Sequence, residues 1–194
     1  MRIQSCQRLP RQTVRSKWYR AVPANHWKKA LGTAHTSGTR SRYNPGDAAK
    51  VPFEIIYLAE NPAVALFEVQ AIYGPPDRPI ADPIRSKMMV ADVDVSLKFI
   101  VDLTDPRHHK MLATSAQELT GNWQVAHPLG DAPTQRLGSA LFATGGIEGF
   151  LAISAKMPLC KTLVIFPQKL QPGSELVFSD TITGKTHRIA RPGP

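Results

Sequence analysis

The stretch Phe53-Glu54-Ile55-Ile56-Tyr57-Leu58-Ala59-Glu60-Asn61-Pro62-Ala63-Val64-Ala65-Leu66-Phe67-Glu68 changes its hydrophobic period partway along. Residues 53–59 are rich in β-formers and place Phe53, Ile55 and Tyr57 on one face, as a strand does. Asn61-Pro62 then supplies a capping oxygen and a residue whose fixed φ suits the first helical position, which predicts a helix from there to Tyr73, stopped by Gly74. A strand that feeds a helix within a few residues is a unit of mixed α and β folds.

The same reading extends in both directions. Strands are predicted over residues 18–22, 88–95, 99–103, 148–154, 162–166, 175–178 and 185–189. Asp105-Pro106 opens a helix that fades by Gly121, and residues 134–143 form another, ended by Gly145-Gly146. A long connection rich in Gly, Ser and Thr runs over residues 32–46, and Gly74-Pro75-Pro76-Asp77-Arg78-Pro79 reads as a surface loop. The fold class expected is α+β, a strand-rich single domain with about three helices.

Composition narrows the function classes. The 194 residues are 42% hydrophobic and 20% charged, as in one ordinary globular domain. No long uncharged apolar run occurs and no apolar segment follows the basic N-terminus, so a cytoplasmic protein with no membrane partner is expected. Two cysteines, Cys6 and Cys160, are too few for a disulfide scaffold or a Cys-based zinc site.

Charge is unevenly spread. Ten Lys or Arg precede Asp47 with no acid among them, whereas residues 47–194 carry fourteen bases and fifteen acids. Such a segment is either a solvated basic arm or a footprint for phosphates or an acidic partner. Residues 1–17 are accordingly read as a basic N-terminal extension and residues 18–194 as the domain.

The common chemical motifs are missing: there is no P-loop, no G-x-G-x-x-G after a strand, no H-E-x-x-H and no G-x-S-x-G. Adjacent His108 and His109 point in different directions from a helix, so no metal site is expected there, and the pair reads as a solvated turn. Cys160 reads as a buried or neutral thiol.

Glu68 stands out. On the predicted helix its neighbours at i±3 and i±4 are Val64, Ala65, Ala71 and Ile72, so the carboxylate is carried inward, where it needs a cation, a proton or a ligand. Either an ion pair with an arginine or a functional acid in a cleft satisfies that need. Arg42, in a turn-rich segment, can hold a phosphate or stay solvated. Tyr57 can pack in the core or stack on a planar ligand. Ser154, at a strand's end on the face of Phe150 and Ala152, can donate to a ligand.

Order and spacing together resemble the RES-domain family, toxins of bacterial toxin–antitoxin pairs. The matching blocks are Trp18-Tyr19-Arg20, then Ser41-Arg42-Tyr43-Asn44-Pro45-Gly46, where Ser41 and Tyr43 stand for the family's Gly and Trp. They continue with Tyr57-Leu58-Ala59, Ala65-Leu66-Phe67-Glu68, Asn122-Trp123, Thr134-Gln135 with Gly138, Gly149 through Ser154-Ala155, and residues 162–167, TLVIFP. The resemblance implies a fold similar to ADP-ribosyltransferases and an activity that breaks the nicotinamide N-glycosidic bond of NAD, with water, phosphate or a protein as acceptor. Carried over by position, Arg20 and Arg42 would grip the pyrophosphate and ribose side, and Tyr57 would stack in the nicotinamide pocket. Glu68 would act on the nicotinamide ribose, and Ser154 would hydrogen-bond in the same site. No cofactor beyond NAD as substrate is implied. The partner implied is a helix-turn-helix antitoxin, with which the chain could form an oligomer.

A different class competes: a nucleic-acid-binding module on the basic segment, with Trp18, Tyr19 and Trp27 as stacking aromatics. It leaves Glu68 and Ser154 without a role.

Overall fold

Buried and more exposed side chains alternate along residues 91–97 and 175–180, whereas residues 56–59, 149–153 and 161–165 are largely apolar and covered on both faces. The computed structural model describes residues 1–83, 87–127 and 132–191. Its elements run β1 (Arg11–Pro23), β2 (Ile56–Ala59), α1 (Pro62–Glu68), β3 (Ile72–Tyr73), β4 (Ile80–Ala81) and β5 (Met88–Asp102). They continue with α2 (Pro106–Leu112), α3 (Ala116–Thr120), α4 (Trp123–Ala126), α5 (Pro133–Ala143), β6 (Gly149–Ile153), β7 (Lys161–Ile165), β8 (Glu175–Asp180) and β9 (Lys185–Ala190).

The long strands β1 and β5 pair antiparallel from Arg11↔Val101 to Pro23↔Met88. On its other edge β5 runs parallel to β6, which pairs antiparallel with β7, and β7 with β2. The single pair Tyr19↔Ala59 joins β2 back to β1 and closes a ring of five strands. From β5 a hairpin of β8 and β9 extends the sheet. Ile56, Leu58, Leu163 and Ile165 point into the ring, against Trp18 and Val93. Tyr57, Val164 and Phe166 take the alternate positions and point outward, where α2, α3 and α5 cover them with Leu112, Leu119, Leu137 and Leu141. Each such apolar side chain, once buried, stabilises the fold by about 1.5–3 kcal/mol. The class is mixed α and β with a strand-rich body, in one domain.

Several sequence expectations shift. The strand expected over residues 18–22 is β1, which starts at Arg11, so the boundary drawn at residue 17 falls inside a strand. Val14, Leu9 and Cys6 are buried, which anchors part of the basic segment to the body. The two strands expected over residues 88–103 are one, β5, because β1 pairs with it throughout. Five α-helices occur among the described residues, where about three were expected. The helix expected from Asp105 to Gly121 divides into α2 and α3, because Ala113 turns left-handed at φ 48° and Ser115 caps a new start. The helix expected to reach Tyr73 ends at Glu68: Gln70 adopts φ 58°, and Ile72 and Tyr73 form β3.

The histidine pair is not a solvated turn. Both rings are buried, with His108 Nδ1 donating to Asp102 O at 2.5 Å and His109 Nε2 to Leu103 O at 2.6 Å. These bonds fasten α2 to the end of β5.

Candidate active site

The loop bearing Arg42 is built on Asn44. This fully buried side chain donates to Thr36 O (2.8 Å) and Phe53 O (3.0 Å) and accepts from Gly46 N at 2.9 Å. Gly46 sits at φ 63°, the left-handed region, and a Cβ there would lie 2.7 Å from Gly38 O. The Gln135 side chain donates to Ser41 O at 3.0 Å, which ties the loop to α5. Next to it, a Cβ on Gly138 would stand 1.9 Å from Tyr43 O. Only a glycine lets α5 press on the loop's backbone. Arg42 is aimed by donating from Nη1 to Leu119 O (3.0 Å) and Gly121 O (2.7 Å).

Tyr57, on the outward face of β2, meets this loop. Its hydroxyl accepts from Tyr43 N at 3.1 Å and pairs with Ser41 Oγ at 2.8 Å. Burial pushes the phenol up to about 12, so it stays protonated at neutral pH. Across the sheet, β1 presents Arg20, whose Nη1 donates to Ala30 O at 2.6 Å and Gly32 O at 3.3 Å. Burial pushes this guanidinium down to about 10, still charged at neutral pH. No carboxylate among the described residues lies in ion-pair reach of Arg20 or Arg42.

The Asn61 cap starts α1 by accepting from Val64 N at 2.9 Å, and the helix buries Val64, Ala65 and Phe67. Its last residue is Glu68, half-buried. A carboxylate is disfavoured at a helix C-terminus by the backbone dipoles. The side chain is held by Ser154, whose Oγ donates to Glu68 Oε1 and accepts from Met157 N at 3.0 Å. No cation among the described residues is in ion-pair reach of Glu68, so the arginine pair weighed above does not form.

Arg20, Arg42, Tyr57 and Glu68 share one cavity of about 770 Å3, bordered also by Gln70 and Trp123. That size suits a ligand of drug-like dimensions or somewhat larger. Ser154 does not line it: fully buried, it stands behind Glu68 between Ile153 and Ala155, which do. Its hydroxyl is engaged by the carboxylate rather than open to a ligand. A fixed carboxylate, two guanidinium groups without carboxylate partners and an aromatic wall can bind an anionic, planar ligand and stabilise positive charge developing on it.

Residues that the sequence left unremarked also count. Gln70 borders the cavity in a left-handed conformation, and the sequence carries no signal for it, because the helix expected there runs on to Tyr73. Glu148, read only as a strand start, is fully buried and bonded to three backbone amides. Cys160 is partly exposed and its thiol is pushed up by burial and by Glu60, hence neutral. Among the described residues no group of His, Cys, Asp and Glu could hold a metal ion, and no helix is long and apolar enough to cross a membrane.

Comparison with known proteins adds two findings. A family model described as the RES domain matches residues 17–183. A chain in the crystal structure of the M. tuberculosis MbcT-MbcA toxin-antitoxin complex has the same fold, with a TM-score of 0.64 at 18% identity, over 97% of this chain and 91% of that one. No curated protein matches in sequence.

Proposed function

The chain belongs to the RES-domain family, and from that premise we propose that it is the toxin of a toxin–antitoxin pair and cleaves the nicotinamide N-glycosidic bond of NAD. The observation that carries the reading is the meeting of Glu68, Arg20, Arg42 and Tyr57 at one cavity. Support for an ADP-ribosyltransferase-like framework comes from the same arrangement, a closed strand body with the site at its edge.

The chemistry follows from charge. As the C1′–N1 bond lengthens, positive charge grows on the ribose and the pyridine departs as neutral nicotinamide. Glu68 then stabilises the transition state more than the ground state, because its attraction rises as the charge develops. Ser154 keeps the carboxylate in one orientation and acts as a positioning residue. Arg20 and Arg42 hold the diphosphate: each guanidinium has five donors and a fork geometry, and the carbonyl bonds described above aim it without neutralising it. Tyr57, its hydroxyl already bonded, offers its ring as a wall for the nicotinamide. Water or phosphate adds to C1′ and delivers ADP-ribose or its phosphate ester, with one proton released when the acceptor is water. No group beyond NAD is required.

The structural neighbour is part of a toxin–antitoxin complex, which favours for this chain an antitoxin partner of helix-turn-helix type covering the cavity, in the cytoplasm. A nucleic-acid module finds less support: Trp18 is buried, and Trp27 is packed edge-on to Phe178 with its indole bonded to Asp180.

The test is product analysis. Purified protein incubated with NAD is expected to release free nicotinamide, with ADP-ribose alone in phosphate-free buffer and its phosphate ester when phosphate is the acceptor. With radiolabelled NAD and a cell lysate, label accumulating on protein would instead identify a protein ADP-ribosyltransferase. Intact NAD in every arm overturns the reading.

A further inference from the structure

Two non-glycine residues adopt the left-handed backbone among the described residues, Gln70 (φ 58°) and Ala113 (φ 48°). Both follow the end of a helix, where glycine is the residue of least strain. After α1 the chain makes the paired bonds of a tight helix stop, Ala71 N to Leu66 O at 2.9 Å and Gln70 N to Phe67 O at 3.0 Å. That turn favours glycine, yet glutamine occupies it. Gln70 is exposed, borders the cavity two residues after Glu68, and its carboxamide has no hydrogen-bond partner among the described residues. Ala113 does not border this cavity and has no polar side chain. Strained residues of this kind gather at ligand clamps, and the pair separates what the backbone does from what a side chain adds.

Resting on the NAD-cleaving reading, we propose that Gln70 determines specificity by pairing its carboxamide with the carboxamide of the nicotinamide ring. Each amide donates one N–H and accepts one, a self-complementary match. Two residues along a chain span at most about 7 Å between Cα atoms, which keeps Gln70 in the part of the cavity that Glu68 borders. A ligand carboxylate in place of the amide offers acceptors only, so the nicotinic acid form of the dinucleotide loses one bond and is rejected.

The experiment compares Gln70→Gly with Ala113→Gly, each in the wild-type chain and in a Glu68→Gln background that binds without cleaving. Readouts are Tm, kinetics on NAD and on its nicotinic acid counterpart, and calorimetric binding of both dinucleotides. Both glycine variants are expected to raise Tm by about 2–4 °C through relief of the left-handed strain. Ala113→Gly keeps kcat/KM and the preference for the amide. Gln70→Gly raises KM for NAD about ten-fold, with kcat within about two-fold, and its preference between amide and acid falls towards unity. An unchanged preference in Gln70→Gly, by kinetics or by binding, overturns the assignment while leaving NAD cleavage intact. A chain that binds NAD with this preference but does not cleave it supports Gln70 and defeats the cleavage reading; one that binds neither dinucleotide defeats both.

Discussion

At Glu148 three backbone amides converge on one carboxylate, while at Glu68 a single hydroxyl does. Glu148 Oε2 accepts from Lys98 N (2.7 Å) and Phe99 N (2.8 Å) of β5, and Oε1 from Gln171 N at 2.8 Å, so a fully buried carboxylate is satisfied by the backbone around it. Asp180 is held likewise by Trp27 Nε1 (2.7 Å), Ile182 N (2.9 Å) and Thr183 N and Oγ1 (3.2 and 2.5 Å). Three bonds to Glu148 and four to Asp180 occupy most of the roughly four acceptor sites of a carboxylate, and the cost of burying these acids is met inside the fold. Glu68 is half-buried beside a cavity, with one partner and no cation. The number of donors around a buried acid thus separates acids that hold the structure from one that is available for chemistry.

The sharpest way to break the contrast is Glu68→Gln. NAD cleavage is expected to fall about 1,000-fold, since a neutral amide cannot stabilise the developing ribose cation, while Tm moves by no more than about 2 °C. Turnover within a few-fold of wild type removes Glu68 from the chemistry. Glu148→Gln is expected to do the reverse. Its new NH2 would face an amide donor, a loss of about 3 kcal/mol, which lowers Tm by about 6–12 °C without changing turnover per folded molecule. Differential scanning calorimetry checks it; a wild-type Tm would mean that the three amides matter little.

The smallest effect concerns Asp180. Burial alone would raise this carboxyl, but the hydrogen bonds from Thr183, Trp27 and Ile182 outweigh it and hold the group at about 2, against an ordinary 3.8. Folded and unfolded forms therefore differ in protonation only in that interval. The stability this acid contributes is full above the ordinary value and is lost as pH falls towards 2. Thermal melts of wild type and Asp180→Asn should thus converge as the buffer is taken from about pH 5 to about pH 2. A gap that stays constant would show that the charge of Asp180 is not what stabilises this corner.

How legible each acid was follows from where its partners lie in the chain. Glu68 could be read because Asn61-Pro62 starts its helix and its neighbours one turn back, Val64 and Ala65, are apolar. Its forward neighbours misled, since the helix stops at the residue itself and Gln70 turns the chain away. Glu148 could not be read: the amides it accepts from belong to residues 98, 99 and 171, brought together only by the sheet. Tyr57 was open to both alternatives, and the structure shows a ring that borders the core and the cavity at once. The strand pattern was legible where faces alternate, and least so in β1, whose basic exposed positions conceal a strand anchored by Val14 and Trp18.

The bare α-carbon of Gly138, against which the Tyr43 carbonyl rests, gives the cleft an adjustment point at its back. Adding one methyl group there would overlap that carbonyl and force the arginine-bearing loop and α5 apart, without altering any residue that borders the cleft. Affinity can therefore drift through a position that no inspection of the cleft would single out, and a designer wishing to reshape the cleft could begin from behind it.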